Sequence, residues 1–268
     1  VHLIVRGRKV RIATGGRSIR PSYPLVVMLH AAAVDRTAWS LVTRTIAGAG
    51  WSVCTPDLPG HGSSAGPAVH SVEDGAAWVA ELVEATGHRS AHVAGHSLGS
   101  LLALELAATR PDVVDSLMLL GTAATMPVHP DLAAAADAGD HLAIELIAAW
   151  GHAEPAHLGR HASPGLSIRD TAIRMMERTA PEVIASDLRA AASYEGAIEA
   201  AVHVRCPVLV IAGGLDRMTP WRNAEPLIAA LPDVVVEHLP RTGHMMMTED
   251  PHAVADAMLR FLRSSTEA

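Results

Sequence analysis

A chain of 268 residues, 49% hydrophobic and 18% charged, is long and apolar enough to bury about 70–75% of its unfolded surface in one core, which excludes a disordered chain. Its 21 basic and 28 acidic side chains leave a formal charge of −7, so there is no electrostatic footprint for nucleic acid or for an anionic membrane surface. The two cysteines, Cys54 and Cys206, are far apart and each lies in an apolar run, the pattern of buried free thiols and not of a metal-ligand pair.

Taken in chain order, residues 3–5 and 9–13 alternate around Gly7 and predict a hairpin. Arg6, Arg8 and Lys9 interrupt the apolar run there, well short of a signal-peptide core or of the roughly 20 apolar residues that span a bilayer. A soluble, cytoplasmic monomer or homodimer is expected. Short apolar runs bounded by Pro and Gly follow at 25–29, 52–55, 91–94, 116–120, 207–212 and 234–237. Each is nearly continuous in apolar character, as strands buried on both faces of a parallel sheet are. Helical stretches at 37–47, 72–86, 98–109, 224–231 and 252–262 lie between them. Strand alternating with helix predicts an α/β fold with a doubly wound, mostly parallel sheet and helices on both faces. Residues 122–201 break the rhythm: 142–150, 168–179 and 183–192 have helical spacing and no strand intervenes. The expected organisation is a core domain of 1–121 and 202–268, with 122–201 a helical cap insertion over the crevice in which open α/β sheets bind ligands.

The sharpest chemical signal is Gly95-His96-Ser97-Leu98-Gly99, directly after one predicted strand and directly before a predicted helix. A serine on so tight a turn is forced into a strained conformation that exposes its hydroxyl, and the residues two before and two after must lack side chains. The helix N-terminus places the Leu98 amide where it can stabilise an oxyanion beside Ser97. A serine hydroxyl is a weak nucleophile, so a histidine base and an orienting carboxylate should follow at later strand ends. Asp216 stands in the turn after the strand at 207–212, and His244 on the loop after the last strand.

These segments, with Asp57-Leu58-Pro59-Gly60-His61-Gly62-Ser63-Ser64, Gly213-Gly214-Leu215-Asp216, and Gly243-His244 followed by Glu249 and Pro251, together resemble the α/β-hydrolase superfamily from Pro24 to the C-terminal helix. The resemblance implies Ser97 as nucleophile, His244 as general base and Asp216 as orienting acid. Trp39 stands at the family's usual place in the helix after the third strand. One segment departs from the pattern. Where the family usually has His-Gly-x, whose third residue gives the second oxyanion-hole amide, this chain has His30-Ala31-Ala32. By position Ala32 takes that role, but alanine at 31 does not reach glycine-only conformations cheaply.

Asp57 also lies at a strand end, in a loop that looks structural in the family, and Gly121 and Thr122 occupy the alternative acid position. His152, His157 and His161 are close in sequence, but Pro155 and Gly159 interrupt any common helical face. They read as solvated or loosely paired histidines, and no metal or cofactor is expected. Ala31, Met126, Trp150 and Met245 are the substrate-pocket candidates, and the nearby segments offer apolar contact without fixed charge. The expected activity is that of a serine hydrolase cleaving a small or medium carboxylic ester or lactone through an acyl-enzyme. Thioesters, carbon-carbon bonds and peracid formation remain alternatives, because the same triad serves them all. Ser97 argues against the dehalogenases and epoxide hydrolases that resemble this fold, which use aspartate at that turn. The partner is a small-molecule substrate, without nucleic acid or membrane. A non-catalytic receptor on the same fold is the competing class, and a chromogenic ester assay separates the two.

Overall fold

The computed structural model of the chain describes residues 1–154 and 167–267. Its strands are His2–Val5 (β1), Arg8–Ala13 (β2), Leu25–Leu29 (β3), Ser52–Pro56 (β4), Ala91–His96 (β5), Val114–Leu120 (β6), Val208–Gly213 (β7) and Val234–Leu239 (β8). They form one open sheet in the order β1-β2-β4-β3-β5-β6-β7-β8. The β1-β2 hairpin joins β4 antiparallel, and every later pairing is parallel. Before β6 the helices are Ser40–Gly48 (α1), Val72–Ala85 (α2) and Leu98–Thr109 (α3). Between β6 and β7 lie Pro130–Asp137 (α4), Leu142–Gly151 (α5), Ile168–Met176 (α6), Pro181–Ser193 (α7) and Ala197–His203 (α8). After β7 come Trp221–Ala230 (α9), the short Met246–Glu249 (α10) and Pro251–Glu267 (α11).

Period-two alternation along the central strands builds two cores. Val27 and Leu29 of β3, Leu117 and Leu119 of β6 and Val210 of β7 pack with α2, α3 and α8 on one face. Val26 and Met28, Met118 and Leu120, and Leu209 and Ile211 pack on the other with α1 and α11. The second core also takes Leu132 of α4, Ile147 of α5, Met175 of α6 and Leu188 of α7, so these helices extend that face. Helix α3 is buried nearly all round, from Leu98 through Leu104. This explains why its sequence carries no polar stripe. It ends at Thr109, and Pro111 just beyond it lacks an amide donor.

Two expectations change in detail. Strand β8 is a sheet edge on which Val235 and His238 are exposed and Leu239 alone is buried, so it is not a strand buried on both faces. Cys206 is half-buried, whereas Cys54 is buried; both are free. Burial pushes the Cys54 thiol up to about 12, so it packs as a small apolar group.

Candidate active site

Strand β5 ends at His96, and Ser97 turns straight into α3 with φ 52 and ψ −118. This is left-handed backbone for a non-glycine residue, a strained state found at functional turns. The flanking glycines are needed for space. A Cβ on Gly95 would lie 2.0 Å from the Gly99 carbonyl oxygen, and one on Gly99 would lie 2.6 Å from that of Leu29. The Ser97 amide donates to the Leu120 carbonyl (3.0 Å), which ties the turn to β6. The Ser97 carbonyl accepts from the amides of Ser100 (2.8 Å) and Leu101 (3.3 Å), which leaves the Leu98 N–H among the unpaired donors at the positive end of the helix.

The candidate acid and base meet across 28 residues. His244 Nδ1 donates to Asp216 Oδ2 at 2.8 Å, both side chains being buried. Asp216 Oδ1 accepts from the amides of Met218 (2.8 Å) and Thr219 (2.9 Å), and its Oδ2 also from Thr219 Oγ1 (2.8 Å). Burial alone would raise this carboxyl, but His244 and the Thr219 donors outweigh it and hold Asp216 well below the usual carboxylate range. With Nδ1 committed to the carboxylate, a neutral His244 has its lone pair on Nε2, the arrangement a general base requires. His96 Nε2 donates to the His244 carbonyl (2.9 Å), and the two rings are 4.6 Å apart. Burial beside His244 keeps His96 well below the ordinary histidine value. Glu249 accepts from the amides of Gly243 (3.1 Å) and Ala153 (3.3 Å), and so binds the histidine loop to the end of α5.

Beyond β3, His30 Nδ1 faces the Ala31 carbonyl (2.8 Å) and its Nε2 accepts from the Leu58 amide (2.9 Å). Burial beside His61 lowers it to about 3, so it is neutral. The left-handed residue in this loop is Ala33, with φ 67; Ala31 does not need a glycine-only conformation. Trp39 is fully buried and its Nε1 donates to the Leu29 carbonyl (3.1 Å). Asp57 is bound by Arg36 Nη1 (2.7 Å) and by the amides of Arg36 (3.0 Å) and Ser63 (2.9 Å), which agrees with a structural loop.

Ser97 and His244 line a cavity of about 620 Å³. Ala31, Ala32, Met126, Trp150 and Met245 line it too, while the Leu98 side chain is turned into the core. Ile147 of α5 and Leu188 of α7 add further apolar wall. Arg217, exposed, is the one permanently charged side chain among these lining residues, against the expectation of a wall without fixed charge. Thr219 also lies outside the sequence reading; the signal for it is its place three residues after an aspartate in a turn, where a side chain and an amide can both reach the carboxylate. His152 is buried with Nδ1 on the Ala148 carbonyl (2.9 Å), and His157 and His161 lie outside the described residues. Among the described residues no three His, Cys, Asp or Glu converge as metal ligands, and no helix is long and apolar enough to cross a membrane.

Residues 26–257 match the alpha/beta hydrolase family. A pimeloyl-[acyl-carrier protein] methyl ester esterase of Aromatoleum aromaticum is 30% identical over 249 residues, which cover 87% of this chain and 95% of that protein. Among solved structures, an enol-lactonase of Burkholderia xenovorans is similar with a TM-score of 0.88 at 20% identity, covering 98% of this chain and all 100% of the other. A thermophilic esterase of Thermogutta terrifontis is similar at 0.84 and 22%, covering 99% and 98%. At these identities the two structures speak to the fold alone.

Proposed function

The chain belongs to the alpha/beta hydrolase family, and from that premise we propose that it is a serine hydrolase cleaving a small or medium carboxylic ester or lactone through an acyl-enzyme. The observation that carries the reading is the 2.8 Å contact of His244 Nδ1 with Asp216 Oδ2, on a histidine that shares its cavity with a serine held at φ 52. In the first half-reaction Ser97 Oγ attacks the substrate carbonyl carbon while His244 Nε2 takes its proton. The carbonyl oxygen becomes an oxyanion, for which the N–H groups of Ala32 and Leu98 are the donors. Collapse expels the alcohol, which leaves with the proton from His244, and an acyl ester remains on Ser97. Water then attacks that ester by the same proton route, releasing the acid and restoring the serine.

An ester bond is favoured because the methyl ester esterase relative aligns over nearly all of its length and because the cavity wall is mostly apolar. Residues 122–201 act in this reading as a cap on the core of 1–121 and 202–268, supplying Met126, Ile147, Trp150 and Leu188 to the wall. The test is hydrolysis of p-nitrophenyl butyrate together with labelling by a fluorophosphonate. Both should vanish in Ser97→Ala. Hydrolysis that persists in that variant overturns the nucleophile. Rapid turnover of thioesters or β-diketones with no ester cleavage keeps the triad and changes the bond.

A further inference from the structure

The loop that carries Ala32 is held in shape from the helices between β6 and β7. Ala33, the next residue, is at φ 67, a left-handed conformation in which alanine is strained. Both of its backbone polar groups are bound by that segment: its N–H donates to Asp187 Oδ2 (2.9 Å), and its carbonyl accepts from Thr179 Oγ1 (3.0 Å). Arg178 pairs with Asp35, two residues further along the same loop.

The Asp187 oxygen that receives Ala33 also receives His61 Nε2 at 2.8 Å. The other ring nitrogen, Nδ1, faces the Pro59 carbonyl at 3.1 Å. Both ring nitrogens thus face an oxygen acceptor, an arrangement that favours the doubly protonated ring and a buried ion pair. Burial opposes the charge, but Asp187 outweighs it and keeps His61 above the ordinary histidine value. Asp187 itself is fully buried, and its Oδ1 has no hydrogen-bond partner among the described residues. A buried ion pair with an oxygen unsatisfied contributes little net stability, so the fold alone does not account for a carboxylate here.

We propose that Asp187 is a positioning residue: with Thr179 it fixes the Ala32–Ala33 backbone in the conformation that aims the Ala32 N–H into the cavity, and His61 holds the carboxylate in place. This rests on the reading of Ala32 as an oxyanion donor. Asp187 acts through the backbone and need not touch substrate. Such a tie also explains how the loop keeps its turn with alanine at the left-handed position 33.

The experiment compares Asp187→Ala, Asp187→Asn and Thr179→Val on an ester that the wild type turns over, with a trifluoromethyl ketone as tetrahedral mimic. Loss of one oxyanion donor lowers kcat by about 10²–10³-fold, so Asp187→Ala should approach a 10²-fold loss with KM little changed. Ketone affinity should fall in parallel. Asp187→Asn keeps an acceptor for Ala33 and His61 and should recover most of kcat. Thr179→Val leaves the ion pair intact and should cost about tenfold in kcat; it carries the test if Asp187→Ala does not fold. Unchanged kcat and ketone affinity in Thr179→Val, or in a folded Asp187→Ala, overturn the proposal. Ser97→Ala run alongside separates the two levels, because activity surviving there overturns the serine-hydrolase reading itself.

Discussion

At the scale of single residues, the geometry around Asp216 makes graded demands. Ser97→Ala and His244→Ala should each lower kcat by about 10⁶, since members of a serine triad act as a unit. Asp216→Asn should cost about 10⁴ by misdirecting the His244 tautomer. More than a tenth of wild-type kcat/KM in that variant would move the orienting acid elsewhere. Thr219→Val removes one donor to Asp216 Oδ2 and leaves the amide donors in place, so a loss of about tenfold in kcat is expected; circular dichroism checks that the fold is intact. Ser97, Asp216 and His244 were legible in the sequence because each stands where an apolar run stops, and a parallel sheet brings its strand ends to one side. Thr219 was harder to see, because its hydroxyl acts through a turn that only the folded loop makes. Ala33 was not legible at all: alanine seldom takes positive φ, and its partner Asp187 is 154 residues away.

At the scale of elements, legibility follows burial. Strands β3 and β5 and helix α3 are packed on all sides, and their unbroken apolar runs announce them. Helices α4 and α8 were not foreseen. They are short and alanine-rich, and small side chains give no apolar stripe for periodicity to detect; Pro130 at the first position of α4 is the one start signal there. The segment between β6 and β7 also sets the substrate prediction. Helices α5 and α7 give Ile147, Trp150 and Leu188 to the cavity wall. Each substrate methylene buried against them contributes about 0.8 kcal/mol, so kcat/KM for p-nitrophenyl esters should climb severalfold per carbon and then fall once the cavity is full. Trp150→Ala should shift the optimum to longer chains. A wild-type profile that peaks at palmitate, or an optimum unmoved by Trp150→Ala, would show that these helices do not limit the acyl site.

At the scale of the whole molecule, buried histidines set how stability responds to pH. Burial holds His30 at about 3, against 6.5 for an ordinary histidine, and also lowers His96 and His92. For such depressed groups the unfolded chain takes up protons below pH 6.5 that the folded chain refuses, so stability falls as the pH drops. Each strongly depressed histidine contributes a slope on the order of 1 kcal/mol per pH unit in that window. His61 has the opposite sign. Its folded value is raised by Asp187 against the opposing effect of burial, so its contribution is fully present below 6.5 and is lost as the pH rises through the folded value. Asp216, depressed by His244 and Thr219 despite its burial, adds stability above 3.8 that is lost only as the pH falls towards its folded value, so it is not responsible for changes between pH 5 and 6.5. Stability should therefore be greatest near neutrality, with an acid side set by His30 and His96 and an alkaline side set by His61. Urea midpoints measured from pH 5 to 9 test this. The wild type should lose stability from pH 6.5 to 5, and His61→Gln should lower the midpoint overall while flattening the alkaline decline. A midpoint that holds constant down to pH 5 would mean that His30 and His96 accept protons within the folded chain, and the neutral histidines behind β3 and beside His244 would have to be given up.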